Sequence, residues 1–361
     1  MNFKARRKRA GAAAKAAGIE ALLVTHGPDV RYLSGFTGSS GALVLASGKS
    51  VLFTDGRYTT QAKAEAVGSR VVIERGAAVL AACVWMEKEG IERCGFDAAH
   101  TTVAAFEAMK KAVGPKVRRS LFRPSGPLVA GLREVKDADE IVLLRKAAAL
   151  GCRLFDELLG VMEPGMTETA VAAELEQRAR RYGAEGMSFE TIVASGERSA
   201  LPHGRASEAK LPKRGFVTLD FGVILDGYLS DMTRTVHMGK ALPGEMEAYE
   251  AVLEAQEAAV AAVTPGVTGA DVDEAARSVL RRAKLDTYFT HSTGHGVGLE
   301  IHEGPRLAIK QTQRLAEGMV VTIEPGVYLP GRFGIRIEDM VLVTAGGCEV
   351  LTPSPKAWIE L

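Results

Sequence analysis

At 361 residues the chain is longer than one hydrophobic core usually organises, and 45 basic against 44 acidic side chains leave a formal charge of only +1. That balance removes any electrostatic reason to expect nucleic acid or an anionic membrane as a partner, and no stretch approaches the roughly 20 apolar residues of a membrane span. Four scattered cysteines, Cys83, Cys94, Cys152 and Cys348, form no C-x-x-C pair and no disulfide framework, so reduced thiols in a cytoplasm are expected.

The N-terminus is basic (Lys4, Arg6, Arg7, Lys8, Arg9), but the segment after it is Ala-rich and interrupted by Lys15, unlike a secretory signal. A surface helix is predicted there. From Ile19 onward, apolar runs at 21–25, 42–46, 51–55 and 70–74 alternate with Gly-rich turns and Ala-rich stretches, which predicts an α/β domain over residues 1–131. Residues 123–139, with two prolines, two glycines and a run of charges, read as an exposed connection. A second domain is predicted over 132–361. It opens on a long helix, because Asp137 and Glu140 form a capping-box pattern and Ile141, Leu144, Ala148 and Cys152 share one helical face.

Inside the second domain the text repeats. Residues 163–183 resemble 264–284, each reading Pro-Gly, apolar, Thr and then an amphipathic helix, and VTLDFGV at 217–223 matches VTIEPGV at 321–327, an offset of 104. Two fused copies of a helix-then-hairpin unit are predicted.

In the first copy, strand 216–223 leads through Leu225-Asp226-Gly227 into strand 228–236. A symmetric turn places Asp220 and Asp231 opposite one another, with Cβ atoms about 5 Å apart. In the second copy Glu324 and Glu338 are equidistant from Gly331. A single Asp within a strand is usually a turn residue, a surface charge or half of an ion pair. Here, however, Asp220 follows the apolar run 216–219 and Glu324 follows 320–323, where the strand pattern expects burial. Four clustered carboxylates repel one another, and cations relieve the repulsion. With an imidazole, expected to be His295, they offer donors for two divalent ions sharing bridging carboxylates.

The segments TLDFG (218–222), SDMTRT (230–235), STGHGVGLEIHEGP (292–305), TIEPGVYLPG (322–331) and GIRIED (334–339) resemble the pita-bread metallopeptidase family, which includes methionine aminopeptidases, aminopeptidase P, prolidase and creatinase. The resemblance implies an α+β fold: a C-terminal pseudo-two-fold pita-bread domain with a curved antiparallel sheet, behind a smaller α/β creatinase-type domain. It implies that Asp220 binds one metal, that Asp231 and Glu338 bridge both, and that His295 and Glu324 complete the second. Glu324 is also the family's general base. His203 looks like the histidine that contacts the substrate near the scissile bond, and His302 like the one that bonds the carbonyl or the leaving nitrogen. His291 is similar to the histidine that lines the pocket for the second residue in proline-specific members. For each of these the plain alternative is a satisfied structural histidine.

Tyr328 matches a position near the site, or it simply packs. Arg336 shares the face of Glu338 if its strand is regular, as a site anchor or a structural ion pair. Arg306 suits the terminal carboxylate of a dipeptide or is a solvated surface charge.

Residues 31–45 and 52–62 resemble the creatinase/prolidase N-terminal domain. Such domains cover the active site, often that of a neighbouring subunit, which implies a homodimer and cleavage before proline. The X-Pro bond is a tertiary amide with no N–H, so ordinary strand-like recognition of peptides fails there. The expected activity is that of a dinuclear-metal exopeptidase acting on small peptides, Xaa-Pro dipeptides or longer peptides beginning Xaa-Pro. Manganese is favoured, with cobalt or zinc as alternatives. The rival readings are a metal-free amidinohydrolase, a catalytically silent binding module and a broader aminopeptidase that also removes methionine. The full ligand set argues against the first two.

Overall fold

The computed structural model describes residues 1–361, which form two compact units, Met1–Arg133 and Glu134–Leu361. In the first unit the apolar runs become strands of a six-stranded sheet, in the order 70–74, 49–55, 41–46, 21–24, 94–97, 122–125. The sheet is mixed. Strand Ala21–Val24 runs antiparallel to Gly41–Ala46 and parallel to Cys94–Asp97.

Two expectations change here. The segment read as an exposed connection contains the edge strand Phe122–Ser125 and the helix Leu128–Arg133, whose Val129 and Arg133 are buried. Backbone pairing to Cys94–Asp97 and a buried 2.7 Å ion pair from Arg133 to Asp29 draw the segment in, and single-residue composition does not report either. The basic first helix, Phe3–Ala16, is likewise not wholly a surface element. Arg6 is buried, with its guanidinium over the Tyr32 ring at 4.4 Å and one N–H donated to the Tyr32 carbonyl.

The second unit opens on helix Ala138–Leu159, capped by Asp137 with Glu140 in the reciprocal box. The two repeat helices, Glu168–Arg181 and Gly269–Arg282, are each 14 residues long and capped by Thr167 and Thr268. Each packs behind an antiparallel trio of strands. In the first copy the trio is Ile192–Ser195, Gly215–Phe221 and Met232–Met238, and in the second it is Gly294–Gly296, Val320–Ile323 and Asp339–Thr344. Each trio has its own apolar core, one around Leu154, Phe155, Leu175 and Val217, the other around Val252, Val279, Val321 and Ile335. No helix of the chain is long and apolar enough to cross a membrane. All four cysteines are unpaired.

Register decides where the acids stand. In the first hairpin the two-residue turn is Asp226-Gly227, both with positive φ (49° and 74°), as a type I′ turn requires. Strand pairing therefore sets Asp220 against Thr233, two residues from the symmetric arrangement expected above. Asp231 falls across from Gly222 and is the diagonal neighbour of Asp220 on the same face, not its direct partner. A Cβ on Gly222 would lie 1.7 Å from the Ser230 carbonyl oxygen, so only glycine permits this approach. In the second hairpin the register runs Val327–Ile335 and Ile323–Asp339, which sets Glu324 opposite Glu338 as expected.

The ladder of the second hairpin breaks at both of its acids, whereas in the first Asp220 stays paired and only Asp231 lies past the ladder's end. The amide of Glu338 turns to the Thr233 carbonyl, which joins the two copies at this point, and that of Glu324 turns to the Thr293 carbonyl within the second copy.

Candidate metal centre and pocket

The two hairpins and the strand Gly294–Gly296 bring five side chains to one pocket of about 920 Å³: Asp220, Asp231, His295, Glu324 and Glu338. Donor atoms of Asp231, His295 and Glu338 all lie within 4.8 Å of one another. His295 Nε2 stands 3.3 Å from Glu324 Oε1 and 3.7 Å from Asp231 Oδ2. Asp220 Oδ1 is buried and accepts no hydrogen bond. A buried carboxylate oxygen without a donor is costly, and a cation is the partner that removes the cost.

Burial pushes the Asp231 carboxyl well above its ordinary range, and the adjacent Glu338, Asp220 and Glu324 push the same way. Burial together with Glu324 and Asp220 does the same to Glu338, against the hydrogen bond from Thr233. Asp220 is raised by burial too, with Arg336 opposing. Burial also works to raise Glu324, but the hydrogen bond and charge of His295 prevail and hold it low. Burial by itself would lower His295, and Glu324 outweighs it. A cluster of oxygen donors with one imidazole and mutual repulsion this strong fits two hard-to-borderline divalent ions.

A pH dependence follows. Groups with raised pKa hold protons in the metal-free protein, and a cation must displace them. Binding of a divalent ion is expected to release protons, with affinity rising as pH climbs above the ordinary carboxylate pKa of about 4. Calorimetric titration in buffers of different ionisation enthalpy measures this. A proton release of zero at pH 6 would contradict it.

The remaining predicted residues fall into two groups. Arg336, buried, is a hub: Nη2 donates to Asp220 Oδ2 at 2.6 Å, Nε to Thr233 Oγ1 at 3.1 Å, and Nη1 to both Tyr328 Oη (2.6 Å) and the Pro202 carbonyl (3.0 Å). Burial works against its charge, but Tyr328, Asp220 and Glu324 raise its pKa well above the usual value. Tyr328, buried and pushed up to about 12, stays a phenol. It lies 2.9 Å from His291 Nε2, so Tyr328 both anchors a histidine and packs. His291, lowered by burial, also meets the Ser292 carbonyl through Nδ1 at 2.8 Å.

His203, His302 and Arg306 form the open side of the same pocket, all exposed. His302 stacks edge to face against His295 with ring centroids 4.5 Å apart, and burial of its inner side, then the His295 charge, lower its pKa.

The sequence reading missed Thr233, which joins Arg336 to Glu338 Oε2 (2.7 Å), and Thr322, which donates to Glu324 Oε1 (3.2 Å) and accepts the His295 amide (3.1 Å). The hairpin register, counted from the Asp226-Gly227 turn, would have placed Thr233 beside Asp220. It also missed the apolar flanks Phe189, Ile192 and Ile301.

Residues 142–345 match metallopeptidase family M24, and residues 6–135 match the creatinase/prolidase N-terminal domain. A Xaa-Pro dipeptidase of Pyrococcus horikoshii is 35% identical over 342 residues, covering 94% of this chain and 95% of that one. The solved Xaa-Pro dipeptidase of Bacillus anthracis is 40% identical and superposes with a TM-score of 0.96 over 100% of both chains. An X-Pro aminopeptidase of Thermotoga maritima is 36% identical, with a TM-score of 0.89 over 97% of this chain and 100% of that one. The chain belongs to metallopeptidase family M24, with a creatinase/prolidase domain ahead of its metallopeptidase domain.

Proposed function

We propose that the protein is a Xaa-Pro peptidase that hydrolyses the bond between an N-terminal residue and a following proline. The observation that carries the reading is the state of His291. Arg336 donates to the Tyr328 oxygen, the Tyr328 hydroxyl donates to His291 Nε2, and His291 Nδ1–H donates to the Ser292 carbonyl. Both ring nitrogens are used, so His291 offers the pocket only its apolar face. That face suits a pyrrolidine ring, which brings no N–H to be satisfied. The names of the relatives above point the same way.

On this reading Asp220, Asp231, His295, Glu324 and Glu338 would hold two divalent ions, manganese preferred. The ions supply Lewis acidity toward water and the scissile carbonyl. Glu324, kept ionised by His295, takes the proton of the attacking water. His302, on the open side of the pocket, hydrogen-bonds the departing nitrogen, and His203 holds the substrate carbonyl next to the scissile bond. Tyr328 and Arg336 fix His291 and Asp220 against one another. The unpaired cysteines fit a cytoplasmic enzyme, and a homodimer is the expected assembly, which light scattering checks.

The pocket of about 920 Å³ has room beyond a dipeptide, which favours action on peptides longer than two residues as well. A panel of Xaa-Pro dipeptides, Xaa-Pro-Xaa tripeptides, Xaa-Ala and Met-Xaa peptides tests both readings. Proline in second place should be preferred over alanine by about 10–200-fold in kcat/KM, the range one apolar contact surface supplies. His291→Ala should erase that preference. No hydrolysis of any peptide by the metal-loaded protein would end the peptidase reading.

A further inference from the structure

The inference rests on the peptidase reading above and concerns what aims His203. The His203 side chain makes no hydrogen bond or ion pair, so its direction at the pocket edge is set by the loop that carries it. That loop leaves the strand Ile192–Ser195, passes through the short 3₁₀ turn Gly196–Ala200 and His203, and ends at Ser207. Both of its ends meet one buried carboxylate.

Glu168, the first residue of helix Glu168–Arg181, is fully buried. Its Oε1 accepts from the Ser195 amide (2.8 Å) and hydroxyl (2.9 Å), and its Oε2 from the Ser207 amide (3.1 Å) and hydroxyl (2.7 Å). One oxygen serves each end. Arg198, inside the loop, donates through Nε to both oxygens (3.2 and 3.0 Å) and through Nη2 to the Arg205 carbonyl (2.7 Å), two residues past His203. At the far side of the loop, the Gly334 amide donates to Ser199 Oγ (2.8 Å) and Arg336 to the Pro202 carbonyl (3.0 Å).

We propose that Glu168 is a positioning residue for His203: its carboxylate closes the neck of the loop, and the distance from its helix to the sheet sets where the imidazole stands. The assignment follows from how the bonds are divided. A carboxylate that merely satisfied a helix end would bond the first amides of its own helix. Glu168 spends its acceptors on the two ends of one loop and on the arginine that crosses it. Two fixed ends and one crossing bond leave the loop few ways to move the histidine, and tightly tied loops of this length carry side chains with precision.

The test is a double-variant cycle on the preferred peptide with metal content measured in parallel. Glu168→Gln turns one oxygen into an NH₂ that faces donors, which opens one end of the neck and keeps the side-chain shape. It should retain the wild-type metal content and lose about 10–100-fold in kcat/KM, the usual cost of removing a group that orients a functional residue. His203→Ala should lose a similar factor, and the double variant should be no worse than the weaker single variant to within about twofold. Amide exchange should quicken across 196–206 and stay unchanged in strands Gly215–Phe221 and Met232–Met238.

Losses that multiply in the double variant, or metal lost along with activity, overturn the proposal. Should Glu168→Gln fail to fold, Ser207→Ala cuts one end of the same neck and passes through the same cycle with the same criteria. A wild type inactive on every peptide would defeat the functional reading instead. The exchange comparison then decides on its own, and unaltered exchange in 196–206 overturns the assignment.

Discussion

Asp231→Asn is expected to lose turnover and at least one metal together while the metal-free protein becomes more stable. The first half follows from position. Asp231 is within reach of both His295 and Glu338, so an amide in its place removes a charged donor from the middle of the ligand cluster. Losing the Lewis acidity of one ion removes several kcal/mol of transition-state stabilisation, so kcat/KM should fall by at least about a thousandfold.

The second half follows from charge. In the metal-free protein the Asp231 carboxyl is destabilised by burial and by Glu338, Asp220 and Glu324. Its folded pKa is raised, so the folded state binds more protons than the unfolded one, and its contribution to stability is lost as pH rises from the ordinary carboxylate range. A neutral amide of the same shape removes that loss. At neutral pH the metal-free variant should gain about 1 kcal/mol over the metal-free wild type, as is common when a functional charge is neutralised. Denaturant unfolding in chelator, beside metal analysis and a peptide assay, reads both halves. An active variant with full metal content would refute the shared-ligand role, and a less stable metal-free variant would refute the electrostatic argument.

The parts of this site legible in the sequence are those where one residue contradicts its neighbours. An acid at the end of an apolar strand run, as at Asp220 and Glu324, is anomalous by itself, and the internal repeat multiplies the anomaly. The capping box at Asp137 and the apolar strands of the first unit were legible for similar reasons of local pattern. The register of the first hairpin was legible only from its turn: centring that turn on Leu225-Asp226 in place of Asp226-Gly227 shifts the pairing by two residues and keeps every side chain on the same face. Nothing in the alternation could betray the slip.

Residues whose meaning lies in a partner far along the chain were also hidden. Glu168 reads as an ordinary acid in the first turn of a helix. Thr233, Arg234 and Asp339 lie inside the segments 230–235 and 334–339, and nothing in those segments assigns them a role. Each is explained only by a contact more than 25 residues away in sequence, with Ser195, Arg336 or one another.

Arg234 and Asp339 carry the largest expected effect on stability. They are buried side by side at 2.8 Å, each directly following a site residue in the chain, Thr233 and Glu338. Asp339 also accepts from Thr352 Oγ1 (3.0 Å), Gln256 Nε2 (2.9 Å) and Lys356 Nζ (2.7 Å). Asp339→Ala leaves the Arg234 guanidinium buried without its counter-charge, and a broken buried pair of this kind costs about 3–5 kcal/mol. Lys356 lies partly exposed and can turn to solvent, so it adds little.

Buried ion pairs are often replaceable by apolar residues, but this one differs in a way that predicts the opposite. Arg234 also donates to the carbonyls of Thr233, Glu338, Thr352, Ser354 and Pro355. Replacing both partners by Met and Leu would take a donor from each of those oxygens, and of the five only that of Thr233 keeps another described above, the Glu338 amide. The double variant should therefore remain destabilised, though by less than the sum of the single effects, since the two residues share one network. Two of the five carbonyls belong to Thr233 and Glu338, so Asp339→Ala should also weaken metal binding by about 10–100-fold. Denaturant unfolding at fixed metal concentration, and metal titration of the folded variant, measure the two effects. Single effects that simply add would show that the arginine and the aspartate act independently, and unchanged metal affinity would show that the pair holds the sheet but not the site.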